Sequence, residues 1–293
     1  MSSAGSPPVT GSFETAEQLL RADSATLASA LQIPMPEARR EIQMLLRRAL
    51  GVDLSMLLAH PELVPKARET HAYSQALARR LGGEPMAYIV NEREFYGLRF
   101  EVSPAVLIPR PETELLVEMA LERLPEAIAA TVLDIGTGSG CVAIAIAKLR
   151  PRARIIASDL CEPALAVAER NARRQCVSNV ELRLGSWFEP HGDERFDLIV
   201  SNPPYLAQDD PHLRYLPGEP QLALVAGQQG LEALRAIVLE APRHLLPGGS
   251  LIVEHGHDQA ESVARLFERA GFSDVVARTD LAGIQRAVGG RRP

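Results

Sequence analysis

Residues 131–149 run Thr131-Val132-Leu133-Asp134-Ile135, then Gly136-Thr137-Gly138-Ser139-Gly140, then Cys141-Val142-Ala143-Ile144-Ala145-Ile146-Ala147-Lys148-Leu149. The first five form a short apolar, β-branched run, which predicts a buried strand over Thr131 to Ile135. The last stretch predicts a helix over Ser139 to Leu149, so the glycines fall in the turn between strand and helix. Working outward, the pattern repeats. Strands are expected at Arg154 to Ser158, Val180 to Leu184 and Phe196 to Ser201, with a helix from Pro163 to Gln175. A helix over 230–246, a strand from Ser250 to Glu254, a helix over 258–270 and two strands near Val275 and from Gln285 to Val288 complete the chain. Strands alternating with helices give a mostly parallel sheet with helices on both faces, an α/β domain whose ligands sit at the carboxyl ends of the strands.

Toward the N-terminus the period changes. Leu19, Leu20, Leu27, Leu31, Ile42, Leu45, Leu46 and their successors up to Leu81 recur at three- and four-residue spacings, and Pro34, Pro36, Pro61 and Pro65 divide them into several helices. Residues 87–103, with Tyr88-Ile89-Val90 and Phe95-Tyr96-Gly97-Leu98, read as a β-hairpin. The organisation expected is a disordered tail over 1–12, a small helical bundle over 13–86, a hairpin linker over 87–105 and the α/β domain over 106–293. Apolar residues make up 46 % of the 293 and charged residues 23 %, an ordinary soluble balance. The longest purely apolar stretch, Cys141 to Ala147, falls far short of the ~18 residues of a spanning helix, so no membrane association is expected. The N-terminus lacks the layout of a secretory signal, and Cys141, Cys161 and Cys176 have no paired spacing. A reducing, cytoplasmic setting follows as the expectation, without disulfides or a zinc site.

The glycine turn suits a ligand. Its glycines let the backbone approach closely, and the N–H groups opening the next helix favour a polar or anionic group. Cys141 falls where the last glycine of a dinucleotide fingerprint would stand, which counts against NAD. Asp159 ends the second strand, placed to accept hydrogen bonds from both hydroxyls of a ribose. A plain tight turn remains the alternative for the glycines alone. Taken with Asp159, they favour the adenosine of S-adenosylmethionine, and Trp187 is positioned either to border the adenine or to serve as core.

A second feature ends the strand Phe196 to Ser201: Asn202-Pro203-Pro204-Tyr205. The prolines remove two backbone donors and leave carbonyls pointing outward. The side-chain oxygen of Asn202 and the carbonyl of Pro203 together can hold both hydrogens of a planar NH₂ group. Held so, the nitrogen lone pair is aimed at an incoming methyl group, which is catalysis by orientation and needs no strong base. Tyr205 supplies an aromatic wall. A strand-ending turn is the plainer alternative.

Glu94-Phe95-Tyr96-Gly97, Leu107-Ile108-Pro109-Arg110-Pro111-Glu112-Thr113-Glu114, the Asp134 to Gly140 loop, Asn202 to Tyr205, Glu219-Pro220 and Glu254-His255-Gly256 resemble the release factor glutamine methyltransferases. The glycine loop and Asn-Pro-Pro-Tyr are shared by many amino-methyltransferases, whereas Ile-Pro-Arg-Pro-Glu-Thr-Glu is far more specific. The resemblance implies a Rossmann-like class I methyltransferase domain with a seven-stranded sheet. It also implies methyl transfer from S-adenosylmethionine to the side-chain amide of the glutamine in the Gly-Gly-Gln motif of class I peptide chain release factors. Cofactor binding then falls to Gly136, Thr137, Gly138, Ser139, Gly140, Asp159, Trp187 and Asn202. Asn202 and Pro203 carry catalysis, and with Pro204 and Tyr205 they clasp the glutamine. Asn91 and Gln229 depart from the family pattern, outside both loop and clasp. Arg110 and Glu112 stand at the domain junction, where lining a peptide entrance and forming an interdomain ion pair are both open.

Charge separates the rivals. Thirty-one basic residues against 37 acidic ones leave −6, and residues 106–293 hold −5 of it, with 20 basic and 25 acidic side chains. An adenine N6 methyltransferase acting on DNA or RNA would use the same clasp on a flipped base, but it would need a basic groove. A non-catalytic cofactor-binding scaffold predicts loss of the clasp, and Asn202 is intact. The His255-Gly256-His257 pair has no third ligand spaced to join it, so no metal is expected. The protein is expected to be a monomer acting on a protein partner, without direct nucleic-acid contact.

Overall fold

A computed structural model describes residues 14–293, so the expected tail over 1–12 lies outside the described residues. The chain divides between Val90 and Asn91 into two compact units. The first is helical: α1 (Ala16–Leu31), α2 (Met35–Leu50), α3 (Leu54–Ala59), α4 (Ala67–Leu81) and α5 (Met86–Val90). Each start is locally specified. Thr15 and Gln18 form a reciprocal capping box on α1, and the Asp53 side chain accepts the Met56 N–H at the head of α3. Leu27, Ile42, Leu45 and Leu46 meet in a closed core, and the Tyr73 hydroxyl within it donates to Asp23 at 2.6 Å.

The segment 86–90 is a helical turn, not the first strand of a hairpin. Its composition favours a strand, but the Pro85 carbonyl accepts the N–H groups of Tyr88 and Ile89, and Ile89 packs into the helical core. Burial on one helical face overrides local β preference.

The hairpin proper belongs to the second unit. It joins β1 (Glu92–Phe95) to β2 (Leu98–Glu101) through Tyr96-Gly97, both with positive φ, as a two-residue turn of matching twist demands. Phe95 and Phe100 sink into the core beneath α6 (Glu114–Arg123) and α7 (Cys141–Leu149).

The second unit is built on seven strands: β3 (Thr131–Ile135), β4 (Arg154–Asp159), β5 (Val180–Leu184), β6 (Phe196–Ser201), β7 (Leu245–Glu254), β8 (Ser273–Thr279) and β9 (Gln285–Arg291). Their order is β5-β4-β3-β6-β7-β9-β8, and in this sheet β9 alone runs antiparallel to its neighbours, β7 and β8. Residues of α6, α7 and α8 (Glu162–Arg174) cover one face, a short α9 (Gln221–Leu224) follows β6, and α10 (Glu232–His244) and α11 (Ala260–Arg269) cover the other face. The central strands are buried on both faces, which explains their unbroken apolar runs. The chain steps outward from β3 to β5 and returns to β6 on the other side of β3, so the carboxyl ends of β3 and β6 flank the switch point where ligands bind.

The helix expected over 230–246 stops at His244, and Leu245 already pairs with Phe196. Pro247 cannot donate within a helix, and a bulge in the β6–β7 ladder takes up the residues between Leu245 and Ser250. Among the described residues no helix is long and apolar enough to cross a membrane.

Candidate active site

The glycine turn leaves β3 with positive φ at Gly136, Gly138 and Gly140. It is tied down from both sides. The N–H groups of Gly136 and Thr137 both donate to the Ser158 carbonyl at 2.9 Å, and Gly138 N–H donates to Asp159 Oδ2 at 2.8 Å. Asp134, buried at the end of β3, accepts the Thr137 hydroxyl at 2.7 Å and the Ala143 N–H at 3.2 Å, linking strand, turn and helix. Burial pushes its carboxyl up to about 6 against those hydrogen bonds. Asn171 of α8, fully buried, donates to the carbonyls of Ser139 and Glu101 and accepts the Glu101 N–H, so the hairpin buttresses the turn from behind.

A cavity of about 580 Å³ opens in front of this turn. Gly136, Thr137, Gly138 and Ser139 line it with Asp159, Trp187 and Asn202, and Val106, Leu160 and Pro163 add apolar wall. Gly140 is behind the turn: a Cβ there would meet Ile144 Cδ1 at 2.9 Å and Ala168 Cβ at 3.1 Å. Asp159 uses one oxygen on Gly138 and the other on the Cys161 N–H at 2.9 Å, and burial raises its pKa. Each carboxylate oxygen keeps further lone-pair capacity. Trp187 adopts φ 45°, packs on the core beneath α10 and presents part of its surface to the cavity.

A second cavity of about 660 Å³ adjoins the first. Leu107, Arg110, Asn202 and Ala223 line both. Tyr205, Leu206, His212, Gln259 and Arg286 are among the remaining walls of the second. Asn202 therefore stands where the two spaces meet. Its Nδ2 donates to the Thr113 hydroxyl at 3.1 Å. Among the described residues, nothing donates to its Oδ1 or to the Pro203 carbonyl. Pro203 is buried, Pro204 faces the first cavity, and Tyr205 faces the second while its hydroxyl donates to Glu254 Oε1 at 3.2 Å.

Arg110 pairs with the buried Glu219, whose other oxygen accepts the Ile108 N–H at 3.1 Å. That pair lies wholly within the second unit, so Arg110 makes no interdomain bridge with it, and the guanidinium flanks both cavities. Glu112 is half-buried and lines neither. His255 turns inward, its Nδ1 bonded to the Gly256 carbonyl at 2.7 Å, whereas His257 is exposed beside the second cavity. The two rings do not converge on one point.

Three polar residues around the clasp had no role assigned from sequence: Thr113, Glu219 and Glu254. Glu254 carried a signal, since a carboxylate closing the apolar run Leu251-Ile252-Val253 sits at the ligand end of the sheet. Burial pushes it up to about 7.

Residues 18–90 match the family described as PrmC N-terminal domain, and residues 112–215 match the family described as Methyltransferase small domain. A release factor glutamine methyltransferase of Bordetella pertussis is 48 % identical over 255 residues, 86 % of this chain and 94 % of that one. One from Geobacter sulfurreducens is 48 % identical over 259 residues, 87 % and 89 % of the two chains. Among solved structures, a methyltransferase from Pyrococcus furiosus superposes with a TM-score of 0.53 at 22 % identity, over 75 % of this chain and 98 % of that one, a likeness of fold. With identity near one half along almost the full length of its relatives, the chain belongs to the release factor glutamine methyltransferase family.

Proposed function

We propose that this protein transfers a methyl group from S-adenosylmethionine to the side-chain amide nitrogen of the glutamine in the Gly-Gly-Gln motif of class I peptide chain release factors. The observation that carries the reading is the meeting of two cavities at Asn202, with two acceptors that the chain itself leaves unused. The first cavity suits the cofactor. Asp159 offers lone pairs for ribose hydroxyls, the Gly136 to Ser139 backbone allows close approach, and Trp187, Val106 and Leu160 form an apolar slot for a purine. When bound, S-adenosylmethionine supplies an electrophilic methyl group on a sulfonium centre.

The chain's own part is orientation. Asn202 Oδ1 and the Pro203 carbonyl each accept one N–H of the target amide, which turns the nitrogen lone pair toward the first cavity. Tyr205 and Pro204 exclude water on either side of that nitrogen. An amide nitrogen held in this way would become strongly acidic on accepting the methyl group and would shed its extra proton to solvent, so no residue has to act as a strong base. Arg110, held by Glu219, borders the space through which the peptide reaches the clasp; Glu112 stands back from it and contributes charge rather than contact. The acidic net charge supports a protein rather than a nucleic-acid substrate. A monomeric state and a reducing, cytoplasmic setting belong to the same proposal, the latter supported by three unpaired cysteines.

The test is transfer of labelled methyl from S-adenosylmethionine to a purified class I release factor. Incorporation is expected into the intact factor and not into one whose Gly-Gly-Gln glutamine is replaced. Asn202→Ala should lower kcat at least about 100-fold, the scale of a lost orienting contact, while leaving cofactor binding measurable. Incorporation into DNA or RNA alone would overturn the assignment.

A further inference from the structure

A short irregular segment holds a substrate in one geometry only if both of its own ends are held. The near end of Asn202 to Tyr205 continues β6, where Ser201 pairs with Ile135 and Val253 and donates its hydroxyl to the Ile135 carbonyl at 2.7 Å. The proline rings fix φ at positions 203 and 204 and restrict ψ at the residue before each, so Asn202 and Pro203 keep little backbone freedom. What freedom remains lies at Pro204 ψ and at Tyr205, the aromatic wall of the clasp.

Gln259 takes hold there. Its Nε2 donates to the Tyr205 carbonyl at 2.9 Å and to the Gly230 carbonyl at 3.2 Å, while its Oε1 accepts the Gly256 N–H at 2.9 Å. The carbonyls can only accept and the N–H can only donate, so these partners fix which way the Gln259 amide faces. One side chain thereby joins three loops: the segment after β6, the loop before α10 and the loop after β7. Two glycines make room for it. A Cβ at Gly256 would meet Gln259 Oε1 at 3.1 Å. At Gly230, where φ is 74°, a Cβ would meet the Tyr205 carbonyl oxygen at 2.6 Å and Gln259 Nε2 at 3.1 Å.

Helix stability does not account for a glutamine here. Gln259 occupies the N-cap of α11, a place for Ser, Thr, Asp or Asn, and its side chain makes no capping bond. It lines the second cavity beside Tyr205 instead. The Tyr205 hydroxyl is tied to Glu254 Oε1 at 3.2 Å, so a hold on the Tyr205 carbonyl supplies the second point that stops the ring from pivoting. We propose, resting on the methyl-transfer reading for its consequence, that Gln259 is a positioning residue: it pins the Tyr205 peptide so that the aromatic wall and the Pro203 carbonyl keep their places when the target amide enters.

Full-length Gln259→Glu and Gln259→Met test this. Both match glutamine closely in shape; the first keeps the acceptor for Gly256 and loses both donors, and the second loses all three bonds. In each, kcat on release factor should fall about 100-fold, the scale of a misplaced reacting group, with KM for release factor and the Kd and binding stoichiometry of S-adenosylmethionine unchanged. A wild-type kcat in either variant, or a loss of cofactor binding that accounts for the fall, would overturn the inference. A second readout needs no substrate. The chain has five tyrosines, Tyr73, Tyr88, Tyr96, Tyr205 and Tyr215, so fluorotyrosine labelling gives few ¹⁹F resonances, and Tyr205→Phe identifies the one from Tyr205. That resonance should move in both Gln259 variants while those of Tyr73 and Tyr88 stay in place. An unmoved Tyr205 resonance overturns the inference whether or not release factor is the substrate; a wild type that methylates no release factor overturns the methyl-transfer reading alone.

Discussion

Both oxygens of Asp159 accept backbone N–H groups on their way to facing the cavity, from Gly138 before the helix α7 and from Cys161 after β4. The side chain therefore shapes the turn it is proposed to work beside. Asp159→Ala removes the ribose acceptor and the tether together, and the Kd for S-adenosylmethionine should rise about 100-fold, as expected for losing charge-assisted hydrogen bonds worth ~3 kcal/mol. Calorimetric titration checks this, and an unchanged Kd would take Asp159 out of the site. Asp159 was legible in the sequence because its position at a strand end, just past the glycine turn, carries the signal within 21 residues of Gly138. Thr113 and Glu254 were not, because their meaning lies in partners 89 and 49 residues away that only the folded sheet brings together. Arg110 and Glu112 looked alike in sequence and separate in space: Arg110 lines both cavities and Glu112 lines neither.

Elements were legible where one pattern dominated. The strands β3, β4 and β6 are buried on both faces, so their apolar runs admit little else. The segment 86–90 was misread because aromatic and β-branched residues favour a strand when exposed on a sheet, and here a helical core claims Ile89 instead. The start of β7 was misread because the bulge opposite Phe196 leaves no period to follow. The close approach of α7 and α8 depends on Gly140, whose φ of 79° and lack of side chain admit Ile144 and Ala168. Gly140→Ala should cost about 2 kcal/mol, from strain in the left-handed region and a contact with no room. Denaturant titration should show the lower midpoint with an unchanged slope, and a variant as stable as wild type would refute the packing account.

Over the whole molecule the division at Val90 matters more than the hairpin that was expected to mark it. Among the described residues, every one that lines the two cavities comes from position 104 onward. Removal of residues 1–90 should therefore leave the Kd for S-adenosylmethionine unchanged. If the helical unit docks the substrate, the same truncation should raise KM for intact release factor about tenfold, the equivalent of 1.4 kcal/mol of docking, and leave KM for a short Gly-Gly-Gln peptide as it was. Steady-state kinetics on the two substrates decides it, and an equal KM for intact factor would remove that role. The two cavities meet across Leu107, Arg110, Asn202 and Ala223, which line both. Two ligands housed side by side need not queue: each should bind the protein in the absence of the other, and equilibrium titration of either one alone checks it.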